Sequence, residues 1–296
     1  MKRSIIILVL AAVVVLGIVG FLALPKQAPS VQTTAITAAD YSFTAPESIG
    51  GGLVRLTLAN NGKEEHHAQL FRLNDGVTLQ DFQSTAQKAI KALPEKGEIV
   101  FRDILAKGTL EGGPSSTVPG GTNDAIVNLK PGQYVVVCFV SGADGIPHAG
   151  KGMVKPLTVT VPSATQPTPP ESQVKMSLKD YAFTDTPNIK AGKTVIQVSN
   201  DGREPHEMAI VHLKGIKAAD LQKIISAPPP APGAAPPPGP PPFESAGGIQ
   251  AISSGETAWT TLDLKSGDYV YLCFVPSSKD GTPHAQLGMF KPFTVP

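Results

Sequence analysis

The chain has 296 residues, with 25 Lys and Arg against 24 Asp and Glu, a net charge of +1 and 17% charged residues. That length has room for two ordinary domains, and the even charge without any Lys/Arg run argues against a nucleic-acid surface. The 29 glycines and 29 prolines suit many short strands joined by turns, while two cysteines are too few for a disulfide scaffold.

At the N-terminus, Met1-Lys2-Arg3 is a positive segment ahead of an uncharged apolar run, Ile5 to Leu24. The run is longer than a secretory h-region and long enough to span a bilayer as a helix. No small-x-small cleavage site follows, so residues 1–25 are expected to form an uncleaved signal anchor. Lys2 and Arg3 would then be cytoplasmic and the rest of the chain exported. Cleavage and secretion is the alternative.

From Thr33 onward the chain repeats itself. Asp40-Tyr41-Ser42-Phe43-Thr44 meets Asp180-Tyr181-Ala182-Phe183-Thr184, and Asn60-Asn61-Gly62-Lys63-Glu64-Glu65-His66 meets Asn200-Asp201-Gly202-Arg203-Glu204-Pro205-His206. The match continues through Tyr134/Tyr269, Cys138/Cys273, Pro147/Pro283, His148/His284 and Met153/Met289. One domain has been duplicated: residues 33–161, a Pro/Ser/Thr linker at 162–172, and residues 173–296. Leu53–Asn60 and Thr194–Asn200 alternate as half-buried strands do. Tyr134–Val140 and Tyr269–Val275 are apolar on both faces and read as central strands. Leu79–Leu93 and Ala218–Ile225 have helical spacing, a short insertion in each half. The Pro-rich stretch 227–242 cannot join a ladder and reads as a polyproline-like surface spacer. The fold expected is all-β, a sandwich or Greek-key barrel in each half.

Each cysteine falls in a strand pattern at the centre of its own domain, which disfavours a Cys138–Cys273 bridge. Four of the six histidines fall at matched positions, His66/His206 and His148/His284. Each half thus offers an early His, then Cys, His and Met. Thiolate and thioether favour Cu(I), imidazole suits both oxidation states, and a trigonal set with a weak axial Met is a blue-copper arrangement. Zinc, which prefers a closed set without Met, comes second. The opposing reading makes the cysteines small hydrophobes, the methionines core fillers and the histidines turn caps. The cluster Glu64-Glu65-His66-His67 reads as a solvated turn rather than a surface metal patch. No Gly-x-Ser-x-Gly, phosphate-binding glycine loop or His-Glu-x-x-His is present.

The halves resemble cupredoxins, the plastocyanin and azurin group. The resemblance rests on the Asn-rich turn before His206, the Tyr-x-Tyr-x-Cys273 strand, and the Pro-His148-x4-Met153 and Pro-His284-x4-Met289 loops. It implies two tandem cupredoxin-like Greek-key sandwiches behind a transmembrane helix, with one copper in each. The implied metal ligands are His66, Cys138, His148 and Met153, then His206, Cys273, His284 and Met289. The implied role is one-electron transfer with a redox partner protein, without substrate turnover. A metal-free module for cell-envelope contacts and copper sequestration without electron transfer are the alternatives. The chain departs from the family in three ways: a longer Cys-to-His loop (Phe139–Pro147 and Phe274–Pro283), His67 or Glu207 in place of the usual Asn, and Glu65 in place of the Pro before His66. The longer loop is expected to weaken preorganisation. Six histidines without a His-x-His pair do not supply a trinuclear copper centre. Val137 and Leu272 stand where copper nitrite reductases place a His beside the Cys.

Overall fold

The computed structural model describes residues 30–96, 101–184, 188–227 and 241–296. The expected anchor at 1–25 and most of the Pro-rich stretch at 227–242 lie outside the described residues. Among the described residues, no helix is long and apolar enough to cross a membrane.

The first half contains strands β1 (Gln32–Ala39), β2 (Ser42–Thr44), β3 (Ser48–Gly50), β4 (Gly52–Asn60) and β5 (Gln69–Leu73). Helices α1 (Leu79–Lys96) and α2 (Phe101–Leu105) follow, then β6 (Gly108–Leu110), β7 (Thr122–Leu129), β8 (Gly132–Val137) and β9 (Val154–Thr160). The second half repeats this order with β10 (Val174–Lys179), β11 (Ala182–Phe183), β12 (Gly192–Asn200) and β13 (His206–Leu213). It continues through α3 (Ala218–Ser226), β14 (Phe243–Ile252), β15 (Thr257–Leu264), β16 (Gly267–Leu272), α4 (His284–Leu287) and β17 (Phe290–Val295).

The period-two patterns produce the expected sandwiches. On β4, Val54, Leu56 and Leu58 are buried while Arg55 and Thr57 are less so, which puts alternate side chains into the core. The inner face of each half meets a second sheet, β3-β9-β8-β5-β6 in the first and β14-β13-β16-β17 in the second. β8 and β16 lie inside these sheets, and the helices cover the outer faces. Phe82 of α1 packs on Phe71 of β5 with ring centroids 5.1 Å apart. Leu221 of α3 joins Val211, Val270 and Leu272 in a satellite core. Burial on both faces accounts for the near-continuous apolar run of β8 and β16. α1 starts where Thr78 and Asp81 cap it reciprocally, the Asp81 N–H bonding the Thr78 hydroxyl at 3.1 Å and the Thr78 N–H bonding the Asp81 carboxylate at 3.0 Å.

The two halves do not hang apart on a linker. Their inner sheets join edge to edge into one eight-stranded sheet, ordered β11-β10-β12-β15-β7-β4-β1-β2, with Ala258 opposite Val127 and Trp259 opposite Ile126. A second seam pairs the segment after β6 with β14, where Gly112 donates its N–H to Ala251 O (2.9 Å) and Gln250 to Gly113 O (2.9 Å). Gln69 donates to the Ala251 carbonyl at 3.0 Å from inside the first half. Within each half the chain beside this seam packs too closely for a side chain: a Cβ on Gly113 or Gly248 would lie 2.0 Å from the carbonyl oxygen of Ala68 or Met208 of its own half.

Candidate metal centres

In each half the turn after β4 or β12 is built by one asparagine. The Asn60 side chain accepts the Gly62 N–H (2.8 Å) and donates to the Glu64 carbonyl (2.8 Å) and to the Thr117 carbonyl (2.9 Å). Asn200 does the same with Gly202, Glu204 and Ile252. This side chain supplies the turn's hydrogen bonds, and it delivers His66 and His206, both fully buried, to the end of the sandwich.

Cys138 and Cys273 sit one residue past the ends of β8 and β16, and their pairing continues beyond the strand: the Cys138 N–H bonds Met153 O at 3.3 Å and the Cys273 N–H bonds Met289 O at 3.2 Å. Both are free, buried thiols. The long loop that follows folds back on itself. Ser141 bridges Pro147 and Pro276 bridges Pro283, so its two ends meet again. The His148 N–H then bonds Val140 O (2.8 Å), and the Ala149 N–H bonds Cys138 O (2.8 Å). The second half repeats both contacts, His284 to Val275 O (3.0 Å) and Ala285 to Cys273 O (2.7 Å). The loop length that the sequence suggested would loosen the site is closed off by backbone pairing.

The result is a tight triangle. His66 Nδ1 lies 3.0 Å from His148 Nδ1, and Cys138 Sγ lies 4.0 and 3.6 Å from those two nitrogens. In the second half His206 Nδ1 is 2.9 Å from His284 Nδ1, and Cys273 Sγ is 3.5 Å from His284 Nδ1. All three donor atoms of each set lie within 4.8 Å of one another, and all six residues are buried. Met153 and Met289 are fully buried too. Their N–H groups bond the carbonyls of His148 (3.0 Å) and His284 (2.9 Å), which ties the backbone of each methionine to that of the late histidine.

The outer nitrogens decide what the triangle can hold. His66 Nε2 faces Asp40 (3.2 Å), His148 Nε2 faces Glu64 (2.8 Å), His206 Nε2 faces Asp180 (2.8 Å) and His284 Nε2 faces Glu204 (2.8 Å). A carboxylate accepts only, so each Nε2 carries the proton and each Nδ1 turns a lone pair inward. Two lone pairs and a sulfur therefore converge with the thiol S–H as the one proton among them, which a bound cation would displace. A point equidistant from the three atoms of the first triangle lies about 2.1 Å from each, which is the length of first-row metal bonds to nitrogen and close to those to sulfur. The donor set fits copper. Each half is a β-sandwich with one such triangle.

Searches against family models and curated proteins find no match. Among solved structures, the chain is similar to auracyanin from Roseiflexus castenholzii, at 17% identity over 45% of this chain and 99% of that one, with a TM-score of 0.28. Auracyanin A, a "blue" copper protein from Chloroflexus aurantiacus, is 16% identical over 44% of this chain and 100% of its own, with a TM-score of 0.30. The copper nitrite reductase from Nitrosomonas europaea is 15% identical, covering 90% of this chain and 94% of that one at a TM-score of 0.25.

Burial sets the protonation of the cupredoxin-like sites. It pushes the Cys138 thiol up to about 12, and Cys273 rises well above its usual value. It lowers His66 and His206 against the opposing pull of Asp40 and Asp180, and it takes His284 down to about 4. Burial thus favours the neutral, coordinating form of His66, His206 and His284, and each thiol must lose its proton for the sulfur to bind a cation. Asp40 is held below its usual value by the Lys63 N–H and by His66.

Several residues that matter here were not singled out as site residues by the sequence. Asp40, Glu64, Asp180 and Glu204 carry the imidazoles. Tyr41 takes φ 65°, unusual for a residue with a Cβ, and sets its ring edge-on to His148 with centroids 5.3 Å apart. Tyr181 covers His284 at 4.8 Å. The cluster at Glu64–His67 is not a solvated turn. Glu64 holds His148, Glu65 accepts from the Ser245 hydroxyl of the second half at 2.8 Å, and His67 is buried. His67 and Glu207 fill the place of the family's Asn in the same way, accepting the N–H of Phe139 (2.8 Å) and Phe274 (2.7 Å), the residue after each Cys.

Proposed function

We propose that this chain binds one copper ion in each half and passes single electrons. The ligands are His66, Cys138, His148 and Met153 in the first half, and His206, Cys273, His284 and Met289 in the second. One observation carries the reading: two buried imidazole nitrogens and a cysteine sulfur converge in both halves. The metal would supply the one-electron couple. The protein's part is to hold the ligands at fixed positions, so that little reorganises when the charge changes, and to keep the site dry. With five of six histidines buried in or beside these sites, and Val137 and Leu272 preceding the cysteines, a carrier without substrate turnover fits better than an oxidase.

The test is Cu(II) addition to the chain from residue 30 onward. Strong visible thiolate-to-copper absorption, diminished in Cys273→Ser and in Cys138→Ser and abolished in the double variant, is expected. A colourless protein that leaves copper in the flow-through would refute the reading.

A sequestering role has one observation of its own in favour: His148 and His284 are fully buried, so neither ligand offers an exposed edge to a partner. Slow electron self-exchange in the copper-loaded protein would select it. The residues before Pro25 support a membrane-anchored placement in the cell envelope on the extracytoplasmic side, with secretion after cleavage as the alternative. A redox partner protein would then be met outside the membrane.

A further inference from the structure

Resting on that reading, we propose that Asp40, Glu64, Asp180 and Glu204 are positioning residues for the four imidazoles, and that the long Cys-to-His loops serve to seat Glu64 and Glu204. Every inward-facing imidazole has its outer nitrogen filled by a carboxylate, at matched positions in both halves, and all four rings are fully buried. Each carboxylate is in turn held by the chain. Asp40 and Asp180 take backbone N–H groups from the asparagine turn, Lys63 at 2.8 Å and Arg203 at 3.0 Å.

Glu204 is held directly by the loop that lengthens the chain between Cys and His, and Glu64 is linked to its loop through Tyr41 and Lys151. Glu204 accepts the Ser278 hydroxyl at 2.5 Å and the Ser278 N–H at 3.4 Å. Ser277 of the same loop meets the Tyr181 hydroxyl at 3.3 Å. In the first half Glu64 accepts the Tyr41 hydroxyl at 3.1 Å. Lys151 donates to that hydroxyl at 3.3 Å and pairs with Asp144 of the loop at 2.9 Å. The two loops use different residues to one end: a glutamate fixed against the outer nitrogen of the late histidine, with a tyrosine ring over the imidazole.

A carboxylate on the outer N–H fixes the tautomer and ring orientation and makes the imidazole a stronger donor, which favours the oxidised metal. Loss of such a partner costs about tenfold to a hundredfold in metal affinity.

The experiment uses the copper-loaded chain carrying Cys138→Ser, so that only the second site is read. Glu204→Gln is expected to keep the thiolate absorption and to raise the midpoint potential by a tenfold shift in the oxidised-to-reduced ratio, about 59 mV for a one-electron couple. It should also release copper about tenfold faster on reduction. Ser278→Ala, which leaves Glu204 in place, should shift the potential the same way by less. A metal-free readout accompanies these: nitrogen NMR of His284 should show the proton on Nε2 in the parent and a mixture of tautomers in Glu204→Ala. An unchanged potential, release rate and tautomer would overturn the proposal. Absence of thiolate absorption in the parent would instead sink the copper reading, leaving the tautomer measurement to decide whether Glu204 positions the ring.

Discussion

Glu207 gives a prediction whose sign and size follow from burial. Its carboxyl is buried beside the second site and accepts the Phe274 N–H at 2.7 Å. Removal from water, relieved only in part by that N–H, raises its pKa to about 7 from an ordinary value of 4.5. Between those values the folded chain keeps a proton that the unfolded chain has released, so stability falls as pH rises from 4.5 to 7. At 1.36 kcal/mol per pH unit the loss is about 3 kcal/mol, complete above pH 7 and absent below 4.5. Glu207→Gln keeps an oxygen for the Phe274 N–H and has no charge to bury. Urea unfolding of the copper-free, reduced protein should be followed at several pH values in parent and variant. The difference between the two curves should change by about 3 kcal/mol across this window, in favour of the variant at high pH. Parallel curves would refute the reasoning, since every other group titrates alike in both.

Other substitutions probe the remaining contacts. Glu65→Ala removes the 2.8 Å acceptor of Ser245 at the seam between the halves. It should lower the unfolding free energy by about 1 kcal/mol in urea titration while the copper absorption of both sites stays as in the parent. Tyr271→Phe deletes a buried hydroxyl that has no hydrogen-bond partner among the described residues, so its thermal midpoint should hold or rise, the gain reaching about 1 kcal/mol. Leu58→Ala empties a fully buried position in β4 and should cost about 2–5 kcal/mol by chemical denaturation.

Much of this was legible in the chain itself. The two-residue alternation of Val54, Leu56 and Leu58, the doubled apolar strands ending in Cys, and the repeat of His, Cys and His pointed to the fold and to the three residues of each triangle, because these depend on local period and on spacing along the chain. The carboxylates were harder. Glu64 meets His148 and Glu204 meets His284 only after the sandwich closes, across contacts no local pattern encodes. A trace was present in the identity of Asp40 with Asp180, Tyr41 with Tyr181 and Glu64 with Glu204, though duplication alone copies structural residues equally well. The Cys-to-His loops were misjudged for a related reason. Their polar sequence shows length but not the bridges, Ser141 to Pro147 and Pro276 to Pro283, that return the chain to where a short loop would end. The joining of β7 to β15 was likewise invisible, since alternation says which face of a strand is buried and nothing about its edge.

That joined sheet has a symmetry with its own consequence. Its strand order reads the same from either end once each strand is exchanged for its duplicate. The seam therefore has the isologous form of a homodimer interface, here enclosed within one polypeptide. A single copy would leave the edge of β7 bare and ready to pair with another molecule. Fusion replaces that encounter with a tethered one, and it frees mated positions to diverge. Asp124 and Trp259 stand at mated places in β7 and β15, yet one bonds Arg55 and the Thr261 N–H while the other is buried among Leu53 and Ile126. The same freedom gave one early histidine a glutamate before it and the other a proline, so the two candidate metal sites of this chain need not be copies of each other.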